Sequence, residues 1–403
     1  MVQLRSAGWR GLSLAMALVC LAQRTSSGDE VASLVARIKA VRNEGEGNSD
    51  ASRASKELAR RGPESLIELL QAMDDATPIA ANWLRAAFET IAERAFQAGR
   101  PLPRSELEEF VTDRSHAGPV RRLAYEWLAR VDPSAPDRLI PGMLDDPSVE
   151  LRRDAVAREL KHAGELLDDG DEPAATVAYE KIFSVARDRD QVELIAQRLT
   201  SFGQEVDLAQ HYGFIQHWRL IGPFDNTDKT GFDAVYPPER KIELEAEHRG
   251  KESPVRWTEH TTSDPHGMVD LNKVLSKHMG VVAYALGVVE SPDERPVQIR
   301  AGSNNAVKIW LNGQLLFFRE EYHHGLHMDQ HRSTGTLRPG RNTILIKVCQ
   351  NEQTEEWAQS WSFQVRVCDV TGGGILHKGG AEVASRVRGP DGKDERRETK
   401  GEK

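Results

Sequence analysis

The sequence predicts a multidomain chain, helical first and β-rich second: an α-solenoid followed by an antiparallel β-sandwich. Three observations carry this prediction. Apolar residues recur at helical spacing through residues 29–210, a short motif repeats within that stretch, and after Gln210 the texture changes to short β-branched and aromatic runs separated by Gly, Pro, Asn and Asp. The expected organisation is a signal peptide at 1–28, a helical repeat region at 29–210, a β-sandwich at 211–373 and a disordered charged tail at 374–403.

The first segment reads as an export signal. Arg5 and Arg10 precede a twelve-residue apolar run at 11–22 (GLSLAMALVCLA), and a polar stretch follows at 23–29. A spanning helix needs about 20 apolar residues, so no membrane span is expected in the mature chain. Localisation is expected to be periplasmic or extracellular. Val19 disfavours lipidation at Cys20. Export permits a disulfide between Cys349 and Cys368. A hairpin turning near residues 353–358 would put the two at opposite ends of a strand, so both thiols are expected to be free and buried.

In the helical half, Val31, Leu34, Val35, Ile38 and Val41 share one face, and Leu66, Ile67, Leu69, Leu70 and Met73 form another stripe. Residues 45–50 read as a break. Thr77-Pro78 and Asp146-Pro147 read as helix starts, Ser105 with Glu108 as a capping box, and Gly203 as a stop. The segment Leu84-Arg85-Ala86-Ala87-Phe88 is echoed by Val120-Arg121-Arg122-Leu123-Ala124 and by Leu151-Arg152-Arg153-Asp154-Ala155. With the aspartate–proline turn before the third copy, this resembles the HEAT repeat family over residues 55–165, departing from it at Phe88, where alanine is expected. Residues 163–202 are similar to a tetratricopeptide unit. The resemblance implies stacked helix pairs and a protein partner held along them; a rigid spacer or a helical cap on the next domain is the alternative.

In the β half, strands are expected at 214–222, 280–290, 297–301, 306–311, 314–318, 342–349 and 362–368. Asn312-Gly313 between apolar runs is a hairpin turn, because a type I′ turn needs positive φ at both central residues. The stretches Trp218-Arg219-Leu220-Ile221-Gly222-Pro223-Phe224, residues 299–313 and residues 337–348 resemble jelly-roll modules of the galactose-binding-like class. That resemblance implies a β-sandwich with a glycan or a cell-envelope component as ligand, although many members are structural. Val307, Ile309 and Leu311 share one face and Lys308 and Trp310 the other. Trp310 is a candidate sugar platform, with packing as the competing reading.

The composition excludes other classes. The 403 residues carry a net charge of −9, which lacks the basic footprint of a nucleic-acid binder, and 39% are hydrophobic, enough for cores. No nucleophile elbow, phosphate loop or dinucleotide fingerprint occurs, so no catalytic residue is assigned and the chain is read as non-enzymatic. The densest functional cluster is residues 320–331, EEYHHGLHMDQH. Tyr322, His323, His324 and His327 are candidate ligand-binding residues with Trp310, while His323, His327 and His331, spaced by four, are the candidate metal ligands. No cofactor is expected; a divalent metal at that loop, in a metal-dependent hydrolase, is the alternative. A dedicated carbohydrate-binding role requires an exposed aromatic beside polar side chains, for which Trp257, Trp310, Tyr322, Trp357 and Trp361 are the available rings.

Overall fold

A computed structural model describes residues 27–375. The signal segment, apart from its last two residues, and the tail beyond Ile375 lie outside the described residues. The chain forms two compact units that divide between Ala135 and Pro136, upstream of the change of texture at Gln210.

The N-terminal unit is helical: α1 (Ser27–Lys39), α2 (Asn48–Leu58), α3 (Leu66–Met73), α4 (Pro78–Gln97), α5 (Arg104–Thr112) and α6 (Gly118–Val131). Thr77 caps α4 as its hydroxyl position predicts, accepting from Ala80 N at 3.3 Å. Two expectations are corrected. Residues 48–50 form the first turn of α2, and the cap of α5 is Pro103, which leaves Ser105 inside the helix without a capping bond. Arg121 is buried and donates from Nε and Nη2 to the Val111 carbonyl, tying α6 to the end of α5. Arg85, at the matching place of the first copy, is exposed and pairs with Glu89 instead.

The C-terminal unit begins with α7 (Ala135–Leu139), whose first residue belongs to the preceding unit, and continues with α8 (Val149–Asp168), α9 (Glu172–Val185), α10 (Arg189–Ser201) and α11 (Leu208–Tyr212). Helix α8 starts two residues later than Asp146-Pro147 suggests. Ser148 is its cap, accepting from Leu151 N, while the Asp146 carboxylate accepts from Ser148 N. Gly203, at φ +79°, follows α10 as expected. No helix among the described residues is long and apolar enough to cross a membrane.

Among the described residues twelve strands follow: β1 (His217–Asp225), β2 (His248–Arg249), β3 (Pro254–Val255), β4 (Thr258–Thr261), β5 (Val269–Asp270), β6 (Val281–Ser291), β7 (Arg295–Ser303), β8 (Val307–Leu311), β9 (Gln314–Arg319), β10 (His331–Leu337), β11 (Gly340–Gln350) and β12 (Ser362–Cys368). They form an antiparallel six-stranded sheet, β4-β1-β6-β11-β8-β9, and a four-stranded sheet, β10-β7-β12-β5, with β2-β3 as a separate pair; no barrel closes among the described residues. Trp218, Ile309, Ile346, Trp361, Phe363 and Val365 belong to one continuous core built from both sheets. The β8–β9 turn is as predicted, with Asn312 and Gly313 at φ +51° and +81°.

Strand β10 is absent from the sequence reading, because its polar, glycine-containing run HRSTGTL hides the β pattern. The expected hairpin between residues 349 and 368 does not exist either: β11 and β12 lie in different sheets. Cys349 and Cys368 are nonetheless free and buried. Burial pushes the Cys349 thiol up to about 12. The sandwich extends past residue 373, because Ile375 N donates to the Val367 carbonyl.

The outer face of the six-stranded sheet is also buried. Phe224, Val282, Tyr284, Leu286, Leu345 and Cys349 pack beneath Phe232 and Val255 of the long β1–β4 connection, with Tyr236, Ile242, Leu244 and Trp257 at the edges. Double-sided burial explains why β6 reads VVAYALGVV without alternation. Lys347 is fully buried there, donating to the carbonyls of Phe232 and Ala234 at 2.9 and 2.7 Å and to Glu239 Oε1 at 2.8 Å. Tyr284 donates to the same carboxylate oxygen.

Helix α11 makes the unit sensitive to pH. His211 stacks on Phe183 and donates from Nε2 to the Ala186 carbonyl at 3.1 Å. Burial, reinforced by the charge of Arg187, lowers the imidazole from 6.5 to about 4. Between those values the unfolded chain binds more protons than the folded one. The stability contributed is complete above the window and falls as the pH drops through it, by at most about 1.4 kcal/mol per pH unit. His211→Gln should flatten the pH profile of urea unfolding across that range; an unchanged slope would contradict this reading.

Candidate functional site

The rim of the sandwich carries a polar cluster around one exposed aromatic ring. Its foundation is Asn305, fully buried in the β7–β8 turn, which donates to the Ser360 carbonyl at 2.7 Å and accepts from His323 N at 3.1 Å. The neighbouring amide, His324 N, donates to the Asn304 carbonyl at 3.1 Å. These bonds hold the start of the 320–330 loop, with His323 at φ +57°. The His323 ring then donates from Nε2 to Asn351 Oδ1 at 2.6 Å, and Asn351 Nδ2 donates to Gln353 Oε1 at 3.0 Å.

Trp357 stands edge-on to His323, with ring centroids 5.5 Å apart at 85°, in the short turn Glu356–Ala358. Its ring is 65% exposed, the highest value among the large apolar side chains of the sandwich. On the other side of His323, Tyr322 Oη accepts from Asn226 Nδ2 at 3.3 Å, and the Lys229 ammonium lies 5.2 Å from the Tyr322 ring centre. Burial raises the Tyr322 phenol well above its ordinary range, so it stays protonated at neutral pH. The buried Oδ1 of Asn226 has no hydrogen-bond partner. An aromatic face flanked by fixed amide and imidazole groups can stack on a sugar ring and hydrogen-bond its hydroxyls.

The predicted site residues are divided by the fold. Tyr322 and His323 belong to this rim. Trp310 does not: its half-buried ring packs against the core under the β1–β4 connection. Trp361 is fully buried, with Nε1 donating to the Val348 carbonyl at 3.3 Å. His324 accepts at Nδ1 from Gln330 Nε2 at 2.5 Å and meets His331 edge-on. His331 is buried at the start of β10 and stacks on Phe317; burial lowers its imidazole, with the charge of His324 acting in the same direction. His327 is exposed and lines a separate cavity. The candidate metal set His323, His327 and His331 therefore does not converge, and no group of three His, Cys, Asp or Glu among the described residues is placed to hold a metal ion. The physical reason is that β10 begins at His331, which turns that imidazole inward and removes the four-residue periodicity.

Asn226, Asn305 and Asn351 escape the sequence reading because a buried asparagine and a turn asparagine look alike in one sequence. The one available signal was position: each sits just beyond a strand end.

No protein-family model matches the chain, and no curated protein matches it. Among solved structures, a β-glucosidase from Kluyveromyces marxianus in complex with glucose is 12% identical, with a TM-score of 0.23, over 41% of this chain and 17% of that one. The GH31 α-xylosidase from Xanthomonas citri is 10% identical, with a TM-score of 0.20, over 38% and 16% of the two chains. A β-glucuronidase from Faecalibacterium prausnitzii is 17% identical, with a TM-score of 0.22, over 34% and 20%. The chain is thus similar to no more than a fifth of the length of any of these three proteins.

Proposed function

We propose that this chain is a non-catalytic, exported binding protein whose galactose-binding-like jelly roll takes a glycan at the Trp357 rim. Its HEAT-like helices contact a protein partner. The observation that carries the glycan reading is the exposed Trp357 ring braced by His323, itself fixed by Asn351 and Asn305. An aromatic face held at the rim among polar side chains is the arrangement that stacks on a sugar ring. The repeat reading is supported by Arg121 and Arg152, which occupy equivalent motif positions, are both buried and both donate to backbone carbonyls. Export is supported by the charged, apolar and polar order of residues 1–29.

Isothermal titration of the chain against a panel of neutral mono- and oligosaccharides tests the glycan reading. At least one sugar should bind saturably, and Trp357→Ala should weaken it tenfold or more, about 1.4 kcal/mol. Because the ring is exposed, stability should change by no more than about 0.5 kcal/mol. No saturable binding across the panel, or binding that Trp357→Ala leaves intact, overturns the proposal.

A further inference from the structure

A second site lies where helices α8 and α10 meet the outer side of the four-stranded sheet, within the C-terminal unit. It is a cavity of about 540 Å³ whose walls include Arg187, Arg189, Arg300, Arg332 and Arg366. Three carboxylates share those walls, Asp188, Asp264 and Asp329. The cavity is therefore net positive in a chain whose net charge is −9.

The carboxylates are largely committed elsewhere. Asp329 is taken up by Arg300 and Arg366, each at 2.6 Å. Asp188 lies 3.3 Å from Arg153, and Asp264 Oδ1 accepts from His266 N and Met268 N. Donors remain. Arg187 Nε is buried without a hydrogen-bond partner. The closest carboxylate to Arg332 is Asp329, at 3.8 Å, beyond hydrogen-bond reach. Gln364 lines the same wall at 3% exposure. A buried guanidinium N–H left unpaired is costly, so the orphaned Arg187 Nε points to a ligand that would take it up. Two helix N-termini also open here: Val149 starts α8 and Arg189 starts α10, and Asp188 places no side-chain cap on the latter. Positive helix ends favour anions. Burial lowers the affinity of the Arg187 guanidinium for its proton, as expected of an under-compensated cation.

We infer that this cavity binds a small molecule carrying an oxyanion, a carboxylate, sulfate or phosphate, on a body about the size of one sugar ring. Arg187 and Arg332 grip the anion, Gln364 hydrogen-bonds its neighbouring polar group, and Val149, Met268 and Met328 line the remaining wall. The volume falls in the range of small-molecule sites. Arg300 and Arg366, locked by Asp329, set the potential.

The test is isothermal titration of the full chain with glucuronate, inorganic sulfate and inorganic phosphate, using glucose as the neutral counterpart of glucuronate. Heat of binding is the readout, because sulfate also stabilises folded proteins without a site. At least one oxyanion should bind saturably, with glucose at least tenfold weaker here. Arg332→Gln and Arg187→Gln should each weaken the anion at least tenfold, while Trp357→Ala leaves it unchanged, which separates this site from the rim. Arg332 is 62% exposed, so its variant keeps the fold even if the Arg187 variant does not. Preference for glucuronate over the inorganic ions identifies an acidic sugar; the reverse identifies a free anion. Absence of saturable binding by all three, or affinity unchanged in Arg332→Gln, overturns the inference.

Discussion

Replacing Asp329 by asparagine is expected to destabilise the C-terminal unit by about 3–5 kcal/mol. This carboxylate bridges two buried guanidiniums. Arg366 donates to it from Nε and Nη2 and Arg300 from Nη1, all at 2.6 Å. Arg366 also reaches the carbonyls of Tyr212 and Gly372 at 3.0 Å, and Arg300 donates twice to Gln298 Oε1. Without the negative charge, two cations remain buried and uncompensated. At about 2–4 °C per kcal/mol for a unit of this size, the melting temperature should fall by roughly 6–20 °C. Burial alone would raise the Asp329 carboxyl, but the hydrogen bond and charge of Arg366, with the charge of Arg300, outweigh it and hold the group below its ordinary value. Its contribution is therefore complete above about pH 4 and is lost as the pH falls through the depressed value. Asp329→Asn should lose that acid limb in calorimetry. A change below about 1 kcal/mol would show that the triad is not a determinant of stability.

Lys347→Met should cost a similar amount, about 3–5 kcal/mol, for a different reason. The ammonium is the shared donor for the Phe232 and Ala234 carbonyls and for Glu239. Removing it strands a nearly buried carboxylate and two carbonyls beneath the β1–β4 connection. Burial lowers the Lys347 affinity for its proton, and the Glu239 hydrogen bond opposes this. Burial, with the Glu239 charge, raises the Tyr284 phenol. The discriminating variant is Lys347→Met with Glu239→Gln. Neutralising both partners should recover a large part of the loss, because the penalty comes from the orphaned charge. If the double variant in urea unfolding is as unstable as Lys347→Met alone, the orphaned-charge account fails.

Much of the fold was legible because its signals are local. The Asn312-Gly313 turn, the Thr77 cap and the stop at Gly203 each follow from the conformation one residue type favours. The errors came where local chemistry had two outlets. Asp146-Pro147 suits a helix start, yet Ser148 took the cap and left Asp146 to cap the turn before it. His331 looked like part of a loop, because a strand with polar outward residues has no apolar signature. The rim was half visible: Tyr322 and His323 stand out in the sequence, but their partners Asn226, Asn305 and Asn351 are scattered along the chain. The arginine cavity was invisible for the same reason, since Arg187 and Arg332 come from a helical connection and from a strand far apart in sequence.

The outermost pairing of the C-terminal unit bears on how the protein is made. Phe214 bridges Arg366, Ile215 N donates to the Val365 carbonyl, and Gly213 sits so close to Val367 that a Cβ there would lie 2.3 Å from its carbonyl oxygen. The segment leaving α11 thus waits for β12, which is synthesised some 150 residues later. Chains grow at about 5–20 residues per second, so this half spends roughly ten seconds or more on the ribosome with its first partner exposed and its last one unmade. The N-terminal helices pair with near neighbours and can complete their core as they emerge. The contacts of Phe214 and Ile215 with β12 can therefore close only after residues 365–366 have been made.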